Sequence, residues 1–276
     1  MHGPLRTIFS LTVLALWALF GFGLVSGEWS SLEWLLLILG HIACLVIFLQ
    51  FAWVFNYGYG LSMTTCAIAV MALYPTPAGL LIGTLAALFG LRMLQFTHTR
   101  YTRSAYSTSG GRKARAAGDV PLTAKLFLWV FVSWLMGCEL MALGFVARAG
   151  DLSTWVLIGA ALMVIGLVVE TIADQQKQAA KSVDPEGYVS TGLYRTMRHP
   201  NYTGEIVFQL GLIISCLGAV QGWWQLALAL LAPGYIVILM IWSSRSLDDS
   251  QQSRYGANPE WQRYRESTGG LLPRLG

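Results

Sequence analysis

Four charged residues, Glu170, Asp174, Lys177 and Lys181, follow one another at intervals of four, three and four, which stacks them on one face of a helix. Two acids and two bases on one face can hold the hydroxyls, amides or phosphates of a ligand, or pair among themselves at an exposed helix end. A second set comes next: Arg195, Arg198, His199, Asn201, Tyr202 and Glu205. Pro200 suits the first turn of a helix, where the amide it lacks would be unpaired, so a helix is expected to start there with Asn201 and Glu205 on one face. Arginines beside the free amides of a helix start make an anion site of the kind that holds phosphates. Asp184-Pro185-Glu186-Gly187 reads as a turn folding the two sets toward each other. The combination suits a nucleotide cofactor at the mouth of a helical bundle, and it would also suit a lipid headgroup.

The elements that position these residues are apolar. The 276 residues are 55% hydrophobic and 12% charged, with a mean hydropathy of +0.56, which excludes an ordinary soluble domain. Stretches that reach or approach the roughly 20 residues needed to cross a bilayer occur near 7–26, 32–56, 59–74, 78–98, 122–147, 153–172, 203–220 and 223–243. The expected fold is all-α: a polytopic membrane helix bundle with eight transmembrane helices, or seven if the tight breaks at Tyr57-Gly58 and Pro75-Thr76-Pro77 fall within one distorted pair. It forms a single integral membrane domain over 1–276, with the early spans and a basic loop in 1–121 and the candidate cofactor region in 122–276. The N-terminal stretch could pass for a signal peptide, but its apolar run is long and no small-x-small cleavage site follows, so it is taken as the first span.

Charge in the connections orients the bundle. With eight spans, Arg6, the 99–121 loop (Arg100, Arg103, Arg112, Lys113, Arg115, Asp119), the 173–202 loop and the arginine-rich tail fall on one side. The opposite connections carry little beyond Glu28, Glu33, Arg148 and Asp151. Both termini are then cytoplasmic. The net charge of +4 reports this topology and gives no reason to expect a nucleic-acid partner. Cys44, Cys66, Cys138 and Cys216 lie in apolar runs without metal-ligand spacing, so neither a disulfide framework nor a metal site is expected. Aromatic residues near span ends, such as Trp29, Trp155 and Trp223, read as an interfacial belt.

Inside the spans, Glu205 sits about a turn past the apolar boundary, and an intramembrane acid is a functional candidate. Glu139 and His41 could line a polar cavity or pair with a neighbouring helix. Beyond the last span, Arg245, Asp248, Asp249 and Gln252 share a helical face. The aromatic and basic tail after them could lie on an anionic membrane surface or fold back over a ligand.

The pattern E-x-x-x-D-x-Q-K-x-x-x-K, then G-L-Y-R-x-x-R-H-P-N-Y-x-G-E, two apolar spans and a tail with Y-x-x-N-P-E-W-x-x-Y resembles the DUF1295 group of bacterial membrane proteins. That group looks related to steroid 5-alpha-reductases and sterol C14-reductases; the R-H-P-x-Y-x-G core also resembles isoprenylcysteine carboxyl methyltransferases. The match covers roughly residues 150–276. The reductase resemblance implies NADPH in the cytoplasmic half of the last spans, held by Asn201, Glu205, Asp174, Lys181 and Arg245. Asp249 stands where those reductases carry a histidine, and Glu170 where they carry an asparagine. Their enone-binding Gln-Glu pair and tyrosine have no clear counterpart in the early spans, where Gln50, Tyr57, Tyr59 and Arg92 come nearest, so a steroid substrate is not supported. Reduction also needs a proton source, for which Tyr59, Tyr101 and Tyr202 are candidates. The resemblance implies an inner-membrane reductase of a lipophilic, isoprenoid- or sterol-like unsaturated substrate, with an S-adenosylmethionine-dependent methyltransferase of a lipid or prenylated acceptor as the alternative.

Overall fold

The computed structural model describes residues 3–102 and 120–274. Arg103, Arg112, Lys113, Arg115 and Asp119 of the expected basic loop lie outside the described residues. Among the described residues the regular structure is helical, apart from a single bridge between Met197 and Gly269. The longer helices are α1 (Gly3–Ser26), α2 (Ser31–Ala43), α4 (Tyr57–Leu73), α5 (Pro77–Thr102), α6 (Leu122–Ala149), α7 (Thr154–Val183), α8 (Pro200–Cys216) and α9 (Trp223–Tyr255). A short α3 (Val46–Leu49) follows α2, and α10 (Pro259–Ser267) follows α9.

Local chemistry sets many of these boundaries. Ser30 and Glu33 form a capping box at the start of α2, Ser153 caps α7, and Asn258 caps α10. Pro200 occupies the first turn of α8, as its missing amide allows. Gly150 ends α6 in the left-handed region at φ 82°. The stretch expected as one span over 32–56 is broken: α2 ends at Ala43, and after α3 the chain turns extended at Gln50 before a 3₁₀ segment over Phe51–Phe55. Tyr57-Gly58, expected as the break, instead opens α4.

Six helical stretches are long and apolar enough to cross a membrane: α1, Ser31–Leu49, α5, α6, α7 and α9. The chain is therefore an all-helical, multi-pass membrane protein. α4 and α8 have 17 residues each, and both stand where the sequence calls for a span. At the centre is α6, which is apolar around most of its girth apart from Ser133 and Glu139 and buries every residue from Phe131 to Ala147.

Two features fix how the site is held. The antiparallel helices α7 and α8 meet along a glycine seam. A methyl on Gly166 would lie 2.5 Å from backbone atoms of Gly204 and Phe208, and one on Gly159 would lie 2.5 Å from the Gly211 carbonyl. Only hydrogen fits there, so the two backbones run in contact. At the bundle end that holds the α1–α2 and α6–α7 connections, Arg148 pairs with the fully buried Glu33 and packs over Phe145. That accounts for two of the few charges expected on that side.

Candidate functional site

Glu170 and Asp174, one turn apart on α7, both face α5, where Arg92 meets them. Its guanidinium places Nη2 2.5 Å from Glu170 Oε1 and Nη1 2.8 Å from Asp174 Oδ2. The planar fork of arginine suits two carboxylates spaced by a helical turn. Arg92 also lies over the Phe89 ring, which stacks on Phe208 of α8 with centroids 4.2 Å apart. Glu205 of α8 is buried beside this group, with Arg92, Asp174 and Tyr59 as neighbours. Two atoms of the triad, Arg92 Nε and Glu170 Oε2, are buried without a protein partner.

Deeper in the bundle lies a second hydrogen-bonded group. Tyr59 of α4 donates its hydroxyl to Glu139 Oε1 of α6 at 3.3 Å. Gln209 of α8 donates from Nε2 to the Tyr59 oxygen at 2.6 Å and to Glu139 Oε1 at 2.8 Å. Glu139 and Gln209 are 0% exposed, and Glu139 Oε2 and Gln209 Oε1 have no protein partner. Glu205 is buried within electrostatic reach of Arg92 and Tyr59, so the two groups lie next to each other as one buried polar column across α4–α8.

The remaining expected residues have other surroundings. Lys177 lies a turn beyond Asp174, near Arg100. Lys181 donates to the carbonyls of Pro185 and Gly187 at 3.0 and 2.5 Å, and Asp184 accepts from the amides of Glu186 and Gly187, so these two residues build the expected turn. Arg198 binds Asp248 of α9 through Nε and Nη2, both at 2.8 Å, and donates from Nη1 to the carbonyls of Arg265 and Thr268. His199 Nε2 sits 2.8 Å from the same Asp248 and stacks on Tyr202. These bonds to Asp248 raise the Arg198 pKa above its ordinary value. Arg198 and His199 are thus the clamp that holds the tail. Asn201 is half-buried in the first turn of α8, and Arg195, Arg245 and Asp249 are exposed. Tyr101 stacks on Tyr57 at the far end of α5, and the His41 ring bonds the Leu37 carbonyl.

The tail folds back. Met197 to His199 pair with Gly269 and Gly270, and Thr203 donates to the Leu271 carbonyl at 2.6 Å. Tyr264 donates to the carbonyls of Val189 and Tyr194, and the fully buried Trp261 packs against Tyr188, Tyr255 and Tyr264. The tail therefore packs on the connection between α7 and α8.

Sequence reasoning named Arg92 among the early-span residues without giving it the acids as partners, and it passed over Gln209. Both carried a signal: an arginine inside an apolar span, and a glutamine four residues after Glu205 on the same face. Asp248, rather than its neighbour Asp249, carries the contact to the segment before α8.

Helix count and hydropathy define a multi-pass membrane protein, and its bundle encloses a buried polar column. The chain belongs to the DUF1295 family, described as a protein of unknown function, whose model matches residues 36–268. No curated protein and no solved structure matches the chain.

Proposed function

We propose that the chain is a membrane-embedded NAD(P)H-dependent reductase that saturates a carbon–carbon double bond of a lipophilic, isoprenoid- or sterol-like substrate. The observation that carries this reading is Tyr59. Its hydroxyl is held by Glu139 and Gln209 in the apolar interior, in one polar column with the acids of α7 and α8. A proton donor at that depth is required for reduction and has no role in methyl transfer.

Glu170, Asp174, Asn201 and Glu205 would hold the nicotinamide nucleotide, with Arg195 and Arg245 exposed for its phosphates. The fit rests on the orphaned Arg92 Nε and Glu170 Oε2, which no protein atom satisfies. The bound nucleotide supplies the hydride. In this reading eight helices cross a bacterial inner membrane with both termini cytoplasmic, and the apolar substrate enters from the lipid.

Titration of the purified protein in lipid discs with NADPH and, separately, with S-adenosylmethionine tests the reading. NADPH is expected to bind and to lose affinity in Glu205→Gln and Asn201→Ala. Binding of S-adenosylmethionine alone would overturn the reductase in favour of the methyltransferase.

A further inference from the structure

α1 and α9 meet at one end, where Phe22 packs on Trp223 with ring centroids 4.9 Å apart. Beyond that contact they part, and a cleft of about 500 Å³ runs between them. Small residues make the room: Ala15 and Ala18 on α1, Ala227 and Gly234 on α9. A methyl built on Gly234 would meet nothing within 4 Å. The lining positions of α9 run from Trp223 to Ile238 at helical spacing, a length of about 22 Å. Spread over that length, the volume gives a mean cross-section of about 20 Å², whereas a helix about 10 Å across needs roughly 80 Å². The cleft therefore admits one hydrocarbon chain and excludes a helix from a second copy or a partner.

One donor faces this apolar space. Tyr235 lines the cleft and is 9% exposed; its ring rests edge-on against Phe131 of α6 at 5.7 Å. Among the described residues its hydroxyl has no hydrogen-bond partner. The cleft's other hydroxyl, on Thr12, gives its hydrogen to the Ile8 carbonyl at 2.9 Å. Along α9, Tyr235 lies about 18 Å from Trp223 at the helix start, near the middle of a hydrocarbon layer roughly 30 Å thick. A phenol that donates to nothing at that depth is costly. The ester carbonyls of phospholipids lie about 15 Å away at either surface and cannot serve it. An acceptor has to arrive on a molecule that is itself at home in hydrocarbon.

We propose that the cleft between α1 and α9 binds a single-chain lipid bearing a ketone-type carbonyl, whose oxygen accepts from Tyr235 and whose chain lies along α9 toward Trp223. A narrow apolar trough with one buried donor near its deep end is complementary to that chemistry. The site is separate from the polar column, which lies across α4–α8, and stands whether or not the chain is a reductase.

The test uses the full protein in lipid discs with farnesylacetone, a prenyl ketone, and with a straight-chain methyl ketone of equal length. Each is isotope-labelled at its carbonyl, so that its infrared band stands clear of lipid esters and protein amides. In bare discs the ketone is free of hydrogen bonds. With wild-type protein a second band at lower frequency is expected for at least one of the two, and the tighter binder tells prenyl from fatty chains. Tyr235→Phe keeps the ring against Phe131, so the fold is retained. It is expected to abolish the second band and to weaken retention of the ketone about fivefold, the net worth of one hydrogen bond, as read by native mass spectrometry. Retention of the corresponding alkane should not change. Ala227→Phe fills the cleft and is expected to abolish retention of ketone and alkane alike. No lower band with either ketone, or a band that survives Tyr235→Phe, overturns the site. A band lost in Tyr59→Phe instead would move the ketone to the polar column and overturn the site while leaving the reductase reading intact. A wild-type dimer that Ala227→Phe dissociates would put a second copy in the cleft and overturn the lipid.

Discussion

Arg92→Met removes the cation from the triad and leaves Glu170 and Asp174 facing an apolar side chain. The three side chains are 11%, 7% and 9% exposed, so water cannot take over the role of the guanidinium. Breaking a buried ion pair by deleting one partner costs about 3–5 kcal/mol, chiefly because the remaining charge is stranded. That corresponds to roughly two to three and a half orders of magnitude in a folding equilibrium. For a chain of this size it corresponds to a drop of about 6–20 °C in the unfolding midpoint. The assay is a thermal melt of the protein in lipid discs, followed by size-exclusion of the soluble fraction. Adding Glu170→Gln and Asp174→Asn to Arg92→Met is expected to recover most of the loss, because the stranded charges go with the cation. An Arg92→Met melt within about 2 °C of wild type would refute the reasoning, as would a triple variant no better than the single one.

Three further outcomes are expected. Gly166→Ala puts a methyl 2.5 Å from the α8 backbone and should cost about 1–3 kcal/mol in the same melt, whereas Gly234→Ala, with nothing within 4 Å of the new atom, should be neutral. Asp248→Ala releases Arg198 and His199 together, so limited proteolysis should cut the chain beyond Tyr255 at least tenfold faster; an unchanged rate would show that Asp248 does not hold the tail. Burial pushes the Tyr264 phenol above its ordinary value, so the folded chain keeps that proton to higher pH than the unfolded one and docking contributes fully below about pH 10 and weakens above it. Tyr188 is shifted the same way by burial, so Tyr264→Phe should reduce the high-pH rise in tail proteolysis rather than remove it, and an unchanged rise counts against the assignment.

Much of the site was legible because it is local. The stripe from Glu170 to Lys181 needs only helical periodicity, and Pro200 with Asn201 and Glu205 needs only the chemistry of a helix start. What was not legible comes from distance along the chain. Arg92 meets acids 78 and 82 residues later, and no spacing rule pairs residues that far apart. The choice of Asp248 over Asp249 depends on the rotation of α9 about its own axis, which two adjacent acids cannot reveal. The break at Gln50 was hidden because the residues on either side are as apolar as a span requires, and it is an extended backbone at one polar position that interrupts the helix. Lys181 shows the reverse error of emphasis: its spacing places it in the stripe, but its amine reaches two carbonyls of the following turn.

The clamp around Arg198 also orders events in time. Its partners lie 50, 67 and 70 residues further along the chain, the first at the end of α9 and the others beyond it. During synthesis, α7 and α8 can enter the membrane and close their glycine seam while the guanidinium still faces water. The connection between them receives its cover only after α9 has inserted and the tail has left the ribosome. A chain stalled before that point would have α7 and α8 packed together with Arg198 unclamped, so ordering of their connection follows insertion of α9.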